Sequence, residues 1–149
     1  MMRTLKSVVA LAVAAVIVAG FGTEHLPAVE PVNRGLLLLS NSEPPRILLR
    51  VCGNCHSNRT DWPWYSHIAP VSWWIAQDVR KGREKLNFSE WETYSIWQKR
   101  DKLESVCGLI STGRMPPHLY TAIHPEAKLT EANKKAVCAW VKEQMIAAR

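Results

Sequence analysis

Residues 46–57 of this 149-residue chain read Arg-Ile-Leu-Leu-Arg-Val-Cys-Gly-Asn-Cys-His-Ser. The apolar positions ahead of the cysteines recur at the spacing of one helix face, which predicts a helix that leads into the cysteines. On that helix Cys52 and Cys55 lie one turn apart, and His56 follows directly. Two thiols at this spacing can each bond a haem vinyl group while the histidine binds the iron. The stretch therefore predicts one covalently bound haem c, with His56 as an axial iron ligand.

Three other uses of a Cys-x-x-Cys pair stay open at this point. A thioredoxin-like redox pair favours a βαβ setting, which this sequence lacks. A zinc site needs further ligands, and Cys107 and Cys138 are not spaced as a second zinc knuckle. A simple disulfide between Cys52 and Cys55 is the third alternative.

The start of the chain has the composition of an export segment. Arg3 and Lys6 precede an uncharged, mostly apolar run over residues 7–22, which is the order of features in a secretory signal. The run is short for a bilayer span, which takes about 20 apolar residues, and it lacks a clean Ala-x-Ala cleavage site. Residues 1–22 are therefore predicted to be either a cleaved signal peptide or an N-terminal anchor in the inner membrane. Both alternatives predict a periplasmic domain, which is soluble after cleavage.

The rest of the chain is predicted to be an arm followed by one domain. Residues 23–42 have a mixed, proline-containing composition typical of a linker, and residues 43–149 have a length that suits a single domain. Strand signals are weak, so the predicted fold class is mostly α, with long loops. Ser89 is predicted to start the third helix, because Glu92 completes the pattern of a capping box. The four predicted helical stretches run from Ser42 to the cysteines, over 71–83, from Ser89 to Ser111 with a break before Lys102, and from Thr130 to Ala147.

Composition and charge limit the classes of partner. Seven tryptophans in a chain of this length indicate a core or a ligand pocket built from large aromatic groups. The formal net charge of +6 includes two basic residues of the export segment, and the remaining excess is modest and dispersed, so nucleic-acid binding is not expected. The densest basic cluster, residues 80–85, has three interpretations: a solvated helix end, a contact to haem propionates through Arg83, or a docking patch for an acidic redox partner.

Met115 is the best candidate for the second axial iron ligand. Pro116 disfavours a helical conformation at Met115, and Pro117 stiffens the segment further. A methionine on a stiff extended segment can be aimed at an iron atom, whereas Met145 lies on a predicted helix and is interpreted as core filler. Three histidines are rival ligands, of which His118 is the strongest because it lies nearest to Met115 in the sequence. The other two are His67 and His124.

Cys107 and Cys138 form the second pair of cysteines. Each lies on a predicted helix, and export places the domain in an oxidising compartment. A disulfide that joins the last helix to the preceding one is predicted, with two buried free thiols as the alternative.

Residues 52–56, Cys-Gly-Asn-Cys-His, are called the attachment motif below. Further sequence runs accompany this motif, and the aromatic ones identify a protein family more specifically than Cys-x-x-Cys-His alone. The runs are Val51–Ser57, Thr60–Ser66, Ile68–Trp74, Leu86–Trp91, Met115–Pro117 with Tyr120, His124-Pro125 and Lys128–Thr130. With these runs the chain, from about Glu43 onward, resembles the bacterial haem-binding domain family of cytochrome c-like proteins. The resemblance implies a haem-binding role and a periplasmic setting, and it does not imply a defined enzymatic reaction.

The order of the features is also similar to that of the small single-haem cytochromes c, which have the attachment motif first, then a methionine, then a terminal helix. That similarity implies a cytochrome c-like helical domain in which the last helix packs on the first. Val137 and Trp140 would then contact Ile47 and Val51. The aromatic insertion between residues 60 and 97 departs from the pattern.

Several residues are expected to surround the haem. Pro70 lies about where small cytochromes c place a proline whose carbonyl accepts the second N–H of the ligating histidine, with a simple turn proline as the alternative. Trp73 and Trp74 are expected to wall the haem, and plain core packing is the alternative for each. The same expectation applies to Trp62, Trp64 and Tyr65.

The function predicted from these features is electron transfer by a carrier rather than a catalyst, with an unidentified redox partner protein. A haem with His56 and Met115 as ligands changes oxidation state with little rearrangement, and this ligation raises the potential. No separate catalytic constellation is apparent in the sequence. The alternative is a haem peroxidase or a small-ligand sensor in which Met115 is labile, and a thiol–disulfide protein without haem is a third hypothesis.

Overall fold

The computed structural model describes residues 42–147, apart from the side chain of Ala147. The predicted export segment and nearly all of the predicted linker lie outside the described residues. Within them the chain contains no strand, and the prediction of a mostly α domain is confirmed. No helix between residues 42 and 147 combines the length and the apolar character needed to cross a membrane. The α-helices are α1 (Glu43–His56), α2 (Val71–Lys85), α3 (Ile96–Ser111), α4 (His118–Ile123) and α5 (Glu131–Ala147), and the 3-10 helices are Trp64–His67, Phe88–Thr93 and Pro125–Ala127.

Helices α1 and α5 pack on each other in the centre of the domain. Helix α1 has prolines in its first turn, where the missing proline N–H would have no helical partner in any case. Ile47 and Val51 of α1 are buried in one core with Val137 and Val141 of α5, and Trp140 is partly buried against it. Burial of such a side chain stabilises the fold by about 1.5–3 kcal/mol. The expected packing of the last helix on the first is confirmed.

Helices α3 and α5 also pack along each other, and a disulfide joins Cys107 of α3 to Cys138 of α5. Leu103 and Ile110 of α3 are buried in the same core as the α1–α5 contact. Helix α5 begins at Glu131, one residue after its predicted start at Thr130. Helix α3 is thus fixed to α5 by apolar packing and by a covalent bond.

The third helix begins later than predicted. Residues Phe88–Thr93 form a 3-10 helix, and α3 follows Ser95, which makes a capping box with Gln98. The predicted capping residue, Ser89, is used elsewhere, because its Oγ accepts the backbone N–H of Asn58 at 2.9 Å. The prediction of an α-helix from Ser89 is therefore wrong, and the cause is a tertiary contact that the local pattern does not contain.

Helix α4 was not predicted. It has six residues, begins after Pro117 and has no buried residue. Its hydrogen bonds alone do not stabilise a helix of this length, because nucleation is costly. Side-chain contacts must therefore hold α4 in place.

Helix α2 crosses α1 at the attachment motif. At Gly82 the two backbones approach so closely that a Cβ would lie 2.7 Å from the carbonyl oxygen of Cys55. A side chain at this position would push the helices apart, so glycine is required for the crossing. The second half of α2 is thereby placed directly beside Cys55 and His56.

Candidate haem-attachment site

The two thiols of the motif lie on the last turns of α1. Cys52 and Cys55 are half-buried and are not bonded to each other, which leaves both free for other bonds. Burial raises the pKa of Cys52 to about 12, and burial also raises the pKa of Cys55. Both are therefore protonated thiols at neutral pH, whereas the reactive cysteines of thiol–disulfide enzymes have a lowered pKa.

A zinc site does not fit these cysteines. Cys107 and Cys138 are bonded to each other, so they do not complete a four-ligand site with the motif pair. Among residues 42–147, no group of three or more His, Cys, Asp or Glu side chains is arranged to hold a metal ion.

His56 is oriented by a backbone carbonyl. Its Nδ1 lies 3.0 Å from the carbonyl oxygen of Leu86. Because a carbonyl only accepts, Nδ1 carries the proton and donates it, and Nε2 of the neutral ring then has a lone pair for a metal. Histidines that ligate metals commonly donate their other N–H in this way. The ring of Phe88 meets the imidazole edge-on, with 6.4 Å between the centroids.

Pro70 is not the hydrogen-bond partner of His56, contrary to the prediction. Pro70 caps the start of α2, and its carbonyl accepts the N–H of Trp73 at 3.2 Å. The carbonyl that accepts from His56 belongs to Leu86, at the opposite end of α2. Leu86 follows α2 in an extended conformation, which turns its carbonyl out of the helical hydrogen-bond pattern and towards His56.

Arg83 binds the segment that leaves the motif. Its Nε donates to the carbonyl of Ser57 and its Nη2 donates to Oγ1 of Thr60, both at 2.9 Å. Ser57 is buried and its Oγ donates to the carbonyl of Gly53 at 2.7 Å. A guanidinium has five N–H donors, so Arg83 has donors left for an anionic group such as a propionate. Arg83 also lines a groove of about 480 Å³, together with Trp62 and Arg80.

Trp73 and Trp74 lie in the first turn of α2 and are 64% and 63% exposed. Plain core packing, the alternative for these two residues, is therefore wrong. Large exposed apolar side chains at neighbouring positions mark binding surfaces, and Trp64 on the adjoining 3-10 helix is exposed as well. Arg83 lies about 15 Å further along the axis of α2.

Met115 lies on the segment between α3 and α4 and is half-buried. Gly113 ends α3 with a positive φ of 69°, a conformation that glycine adopts without strain. The N–H groups of Arg114 and Met115 both donate to the carbonyl of Leu109, at 3.0 and 3.3 Å. The backbone at Met115 is therefore fixed to the end of α3.

The rival histidines differ in their surroundings. Both ring nitrogens of His124 are used, since Nε2 contacts the hydroxyl of Tyr65 and Nδ1 lies 2.9 Å from a carboxylate oxygen of Glu126. His124 is thus not available to an iron without loss of these bonds. His118 is exposed at the start of α4, and His67 is exposed at the end of a 3-10 helix.

Asn54 and Tyr120 are site residues for which the sequence patterns predicted no individual role. The Nδ2 of Asn54, which lies between the two cysteines of the motif, donates to the hydroxyl of Tyr120 on α4 at 3.2 Å. The Oδ1 of Asn54 accepts the N–H of Asp61 at 3.2 Å. Tyr120 stacks on His124 with 4.5 Å between the ring centroids. The sequence signal for this contact was that Tyr120 and His124 belong to the runs that match the haem-binding domain family.

Comparisons with known proteins support haem binding by this chain. The haem-binding domain family matches residues 31–143. The chain is also similar to the protein named cytochrome c peroxidase Ccp of Escherichia coli (strain K12), with 23% identity over 96 residues, which cover 62% of this chain and 21% of that protein. The chain thus spans about a fifth of the length of this relative. No solved structure shows a significant match. Because the family match covers most of the chain, the protein belongs to the haem-binding domain family.

Proposed function

We propose that the protein is a periplasmic electron carrier with one covalently bound haem c, whose iron has His56 and Met115 as axial ligands. The observation that carries this proposal is the hydrogen bond from His56 Nδ1 to the Leu86 carbonyl. In the neutral imidazole this bond places the proton on Nδ1 and leaves the Nε2 lone pair for a metal, on the same helix that presents two unbonded thiols. When bound, haem supplies reversible one-electron chemistry, and the polypeptide supplies attachment, ligands and surroundings.

Cys52 and Cys55 are proposed to attach the haem. Each thiol adds across one vinyl C=C bond, so that sulfur bonds to one vinyl carbon and the thiol hydrogen goes to the other. No external oxidant or reductant enters this balance. The sequence contains a single Cys-x-x-Cys-His motif, which supports one haem per chain.

The proposed ligand pair suits electron transfer. The Leu86 carbonyl fixes the ring of His56 and makes Nε2 a stronger donor. Met115 brings a neutral thioether, and methionine with histidine raises the reduction potential of haem. The fixed backbone of Met115 favours it over His118, which is exposed at the start of α4.

The proposed location rests on two features. The apolar run over residues 7–22 follows two basic residues, as in a secretory signal. The disulfide between Cys107 and Cys138 is of a kind that persists in oxidising compartments. Fractionation of cells that express the full chain tests this part, and recovery in the cytoplasmic fraction alone contradicts it.

The test of ligation uses three variants of the full chain, matured in the periplasm: Met115→Ala, His118→Ala and Met145→Ala. Met145 is partly buried against the core and serves as the matched methionine control. We expect only Met115→Ala to lose the low-spin methionine-ligated spectrum and to lower the midpoint potential strongly. Loss of that spectrum in His118→Ala, or no change in Met115→Ala, contradicts the proposed ligand pair.

A second candidate function is a haem peroxidase with a labile sixth ligand. It is favoured by the similarity to a protein named cytochrome c peroxidase Ccp. Steady-state assays with hydrogen peroxide and a reduced electron donor separate the two functions. An electron carrier shows no turnover above that of a methionine-ligated cytochrome c until Met115 is replaced, whereas a peroxidase turns over in the unmodified protein.

A further inference from the structure

We propose that Tyr120 and His124 are positioning residues that hold the Met115 segment against the attachment motif, through Asn54 on one side and through Tyr65 and Glu126 on the other. These five residues are called the Tyr120 network below. The inference rests on the proposed function, because it concerns the sixth ligand of the haem. The proposed ligand pair does not explain what holds Met115 near the haem, and the Tyr120 network supplies that explanation.

The first step is the bond between the motif and α4. Asn54 Nδ2 donates to the Tyr120 hydroxyl at 3.2 Å, across 66 positions of the chain. Asn54 is itself fixed at two further points, since its Oδ1 accepts the N–H of Asp61 and its carbonyl accepts the hydroxyl of Thr60 at 2.6 Å. The Asn54 amide is thus held at both of its polar atoms and its backbone at the carbonyl, so its bond to Tyr120 ties α4 to the motif.

The second step is the fixation of His124 at the end of α4. Its ring stacks on Tyr120, with 4.5 Å between centroids and 28° between planes. Burial raises the pKa of Tyr65, so the phenol is protonated and donates to Nε2 of His124. The other nitrogen, Nδ1, donates to Glu126, and hydrogen bonds lower the pKa of that carboxyl so that it is charged at neutral pH. The imidazole is thus fixed on both nitrogens and on one face.

The third step concerns what else could hold this segment. Helix α4 has six residues and none is fully buried, and Tyr120 itself is partly buried against the core. Leu119 and Ile123 of α4 are 85% and 61% exposed. Only Pro116 and Pro117 separate Met115 from the start of α4. Because prolines stiffen this connection, a displacement of α4 also displaces Met115. The bonds to Leu109 fix the Met115 backbone to α3, and the Tyr120 network adds a direct connection between the segment that carries Met115 and the motif.

The test measures how easily an external ligand replaces Met115 in the purified ferric holo-protein. Imidazole is the probe, and its Kd reports the stability of the closed methionine-bound state. Removal of one hydrogen bond of the network corresponds to about a fivefold change in this equilibrium. We expect Tyr120→Phe and Tyr65→Phe each to bind imidazole about fivefold more tightly than the unmodified protein. Thr121→Ala is the matched control on α4, because the Thr121 hydroxyl contacts only carbonyls of the same turn, those of Pro117 and His118.

A double-mutant cycle separates positioning from general destabilisation. If the Asn54–Tyr120 bond carries the effect, Tyr120→Phe changes the imidazole Kd in the unmodified background and not in Asn54→Ala. A purely structural role lowers the melting temperature and leaves the imidazole Kd equal to that of Thr121→Ala. Equal affinities in Tyr120→Phe, Tyr65→Phe and Thr121→Ala, or additive effects in the cycle, overturn the inference.

The spectra of the unmodified protein distinguish this failure from a failure of the proposed function. If the unmodified protein lacks covalent haem or methionine ligation, the proposed function is wrong and the inference falls with it. If both are present and the network variants behave as the control does, the inference alone is wrong. Met115→Ala gives the reference affinity of the open site in the same titration.

Discussion

At the scale of single residues, the attachment motif is surrounded by contacts to backbone atoms. The imidazole of His56 donates to the carbonyl of Leu86, and Arg83 donates to the carbonyl of Ser57. Backbone acceptors are common to every residue type and leave no pattern in the sequence. Spacing alone therefore predicts Cys52, Cys55 and His56 as candidates, and it gives no means to find Leu86. The wrong prediction for Pro70 has the same cause. The Pro70 carbonyl accepts an N–H of α2 because α2 begins directly after it, and the sequence pattern did not give that hydrogen bond.

Two arginines one turn apart on α2 give a test at this scale. Arg83 makes two hydrogen bonds to the segment after the motif, whereas Arg80 makes an exposed ion pair with Glu84. We expect Arg83→Ala to lower the free energy of unfolding by about 1–3 kcal/mol, because charge-assisted bonds at a half-buried site are lost. Arg80→Ala should change it by less than about 1 kcal/mol. Urea unfolding of both holo-variants measures the difference, and equal effects contradict the role given to Arg83.

At the scale of elements, the position of the motif depends on how α2 crosses α1. Glycine at position 82 permits the contact with the backbone of Cys55. A helix boundary can be predicted from the sequence where it depends only on residues that are close in the sequence. Helix α5 begins at Glu131, one residue after its predicted start. The predicted start of α3 at Ser89 was wrong, because the Ser89 hydroxyl accepts the N–H of Asn58. Helix α4 has too few residues for a detectable period, and its existence depends on tertiary contacts.

Two glycine substitutions test the crossing. Gly82→Ala places a Cβ against a backbone carbonyl, so we expect a loss of about 1–3 kcal/mol in unfolding free energy and a changed haem spectrum. Gly108→Ala in α3 is the matched control, since a Cβ there meets no atom within 4 Å. Alanine has a higher helix propensity than glycine, so the control should be stabilised by up to about 1 kcal/mol. A stabilised Gly82→Ala variant with an unchanged spectrum contradicts the close approach.

The disulfide gives a second test at the scale of elements. Replacement of Cys107 and Cys138 by serine removes the bond between α3 and α5, which closes a loop of 31 positions. We expect unfolding free energy to fall by about 2–4 kcal/mol, with haem attachment retained, because the motif thiols are separate. Urea unfolding and the haem content of the double variant measure both effects. A double variant that has lost covalent haem shows that these cysteines take part in attachment.

At the scale of the whole molecule, the buried core and the exposed aromatic side chains form separate groups. Helices α1, α3 and α5 share the core, while Trp64, Trp73 and Trp74 are exposed beside the first turn of α2. The number of tryptophans in the sequence predicted an aromatic environment, and it did not predict which indoles lie outside the core. That division depends on the register of α2 against its neighbours, which no local pattern specifies.

Removal of the haem tests this division. We expect the chain produced without haem maturation to melt at a lower temperature, because a bound group stabilises the folded state. Its tryptophan fluorescence should be much stronger than that of the holo-protein, since haem accepts excitation energy from nearby indoles. Trp73→Phe and Trp74→Phe should each remove part of the recovered fluorescence. Equal emission from the two forms contradicts a haem position near these side chains.

The most direct test of the central claim is the haem content of the full chain after periplasmic expression and denaturing purification. The account predicts a pyridine haemochrome spectrum of a haem with two thioether bonds, and an intact mass raised by one haem. Cys52→Ala with Cys55→Ala should abolish both signals, while the Cys107→Ser, Cys138→Ser double variant should keep them. A denatured protein with the mass of the polypeptide alone and no covalent haem spectrum contradicts the account.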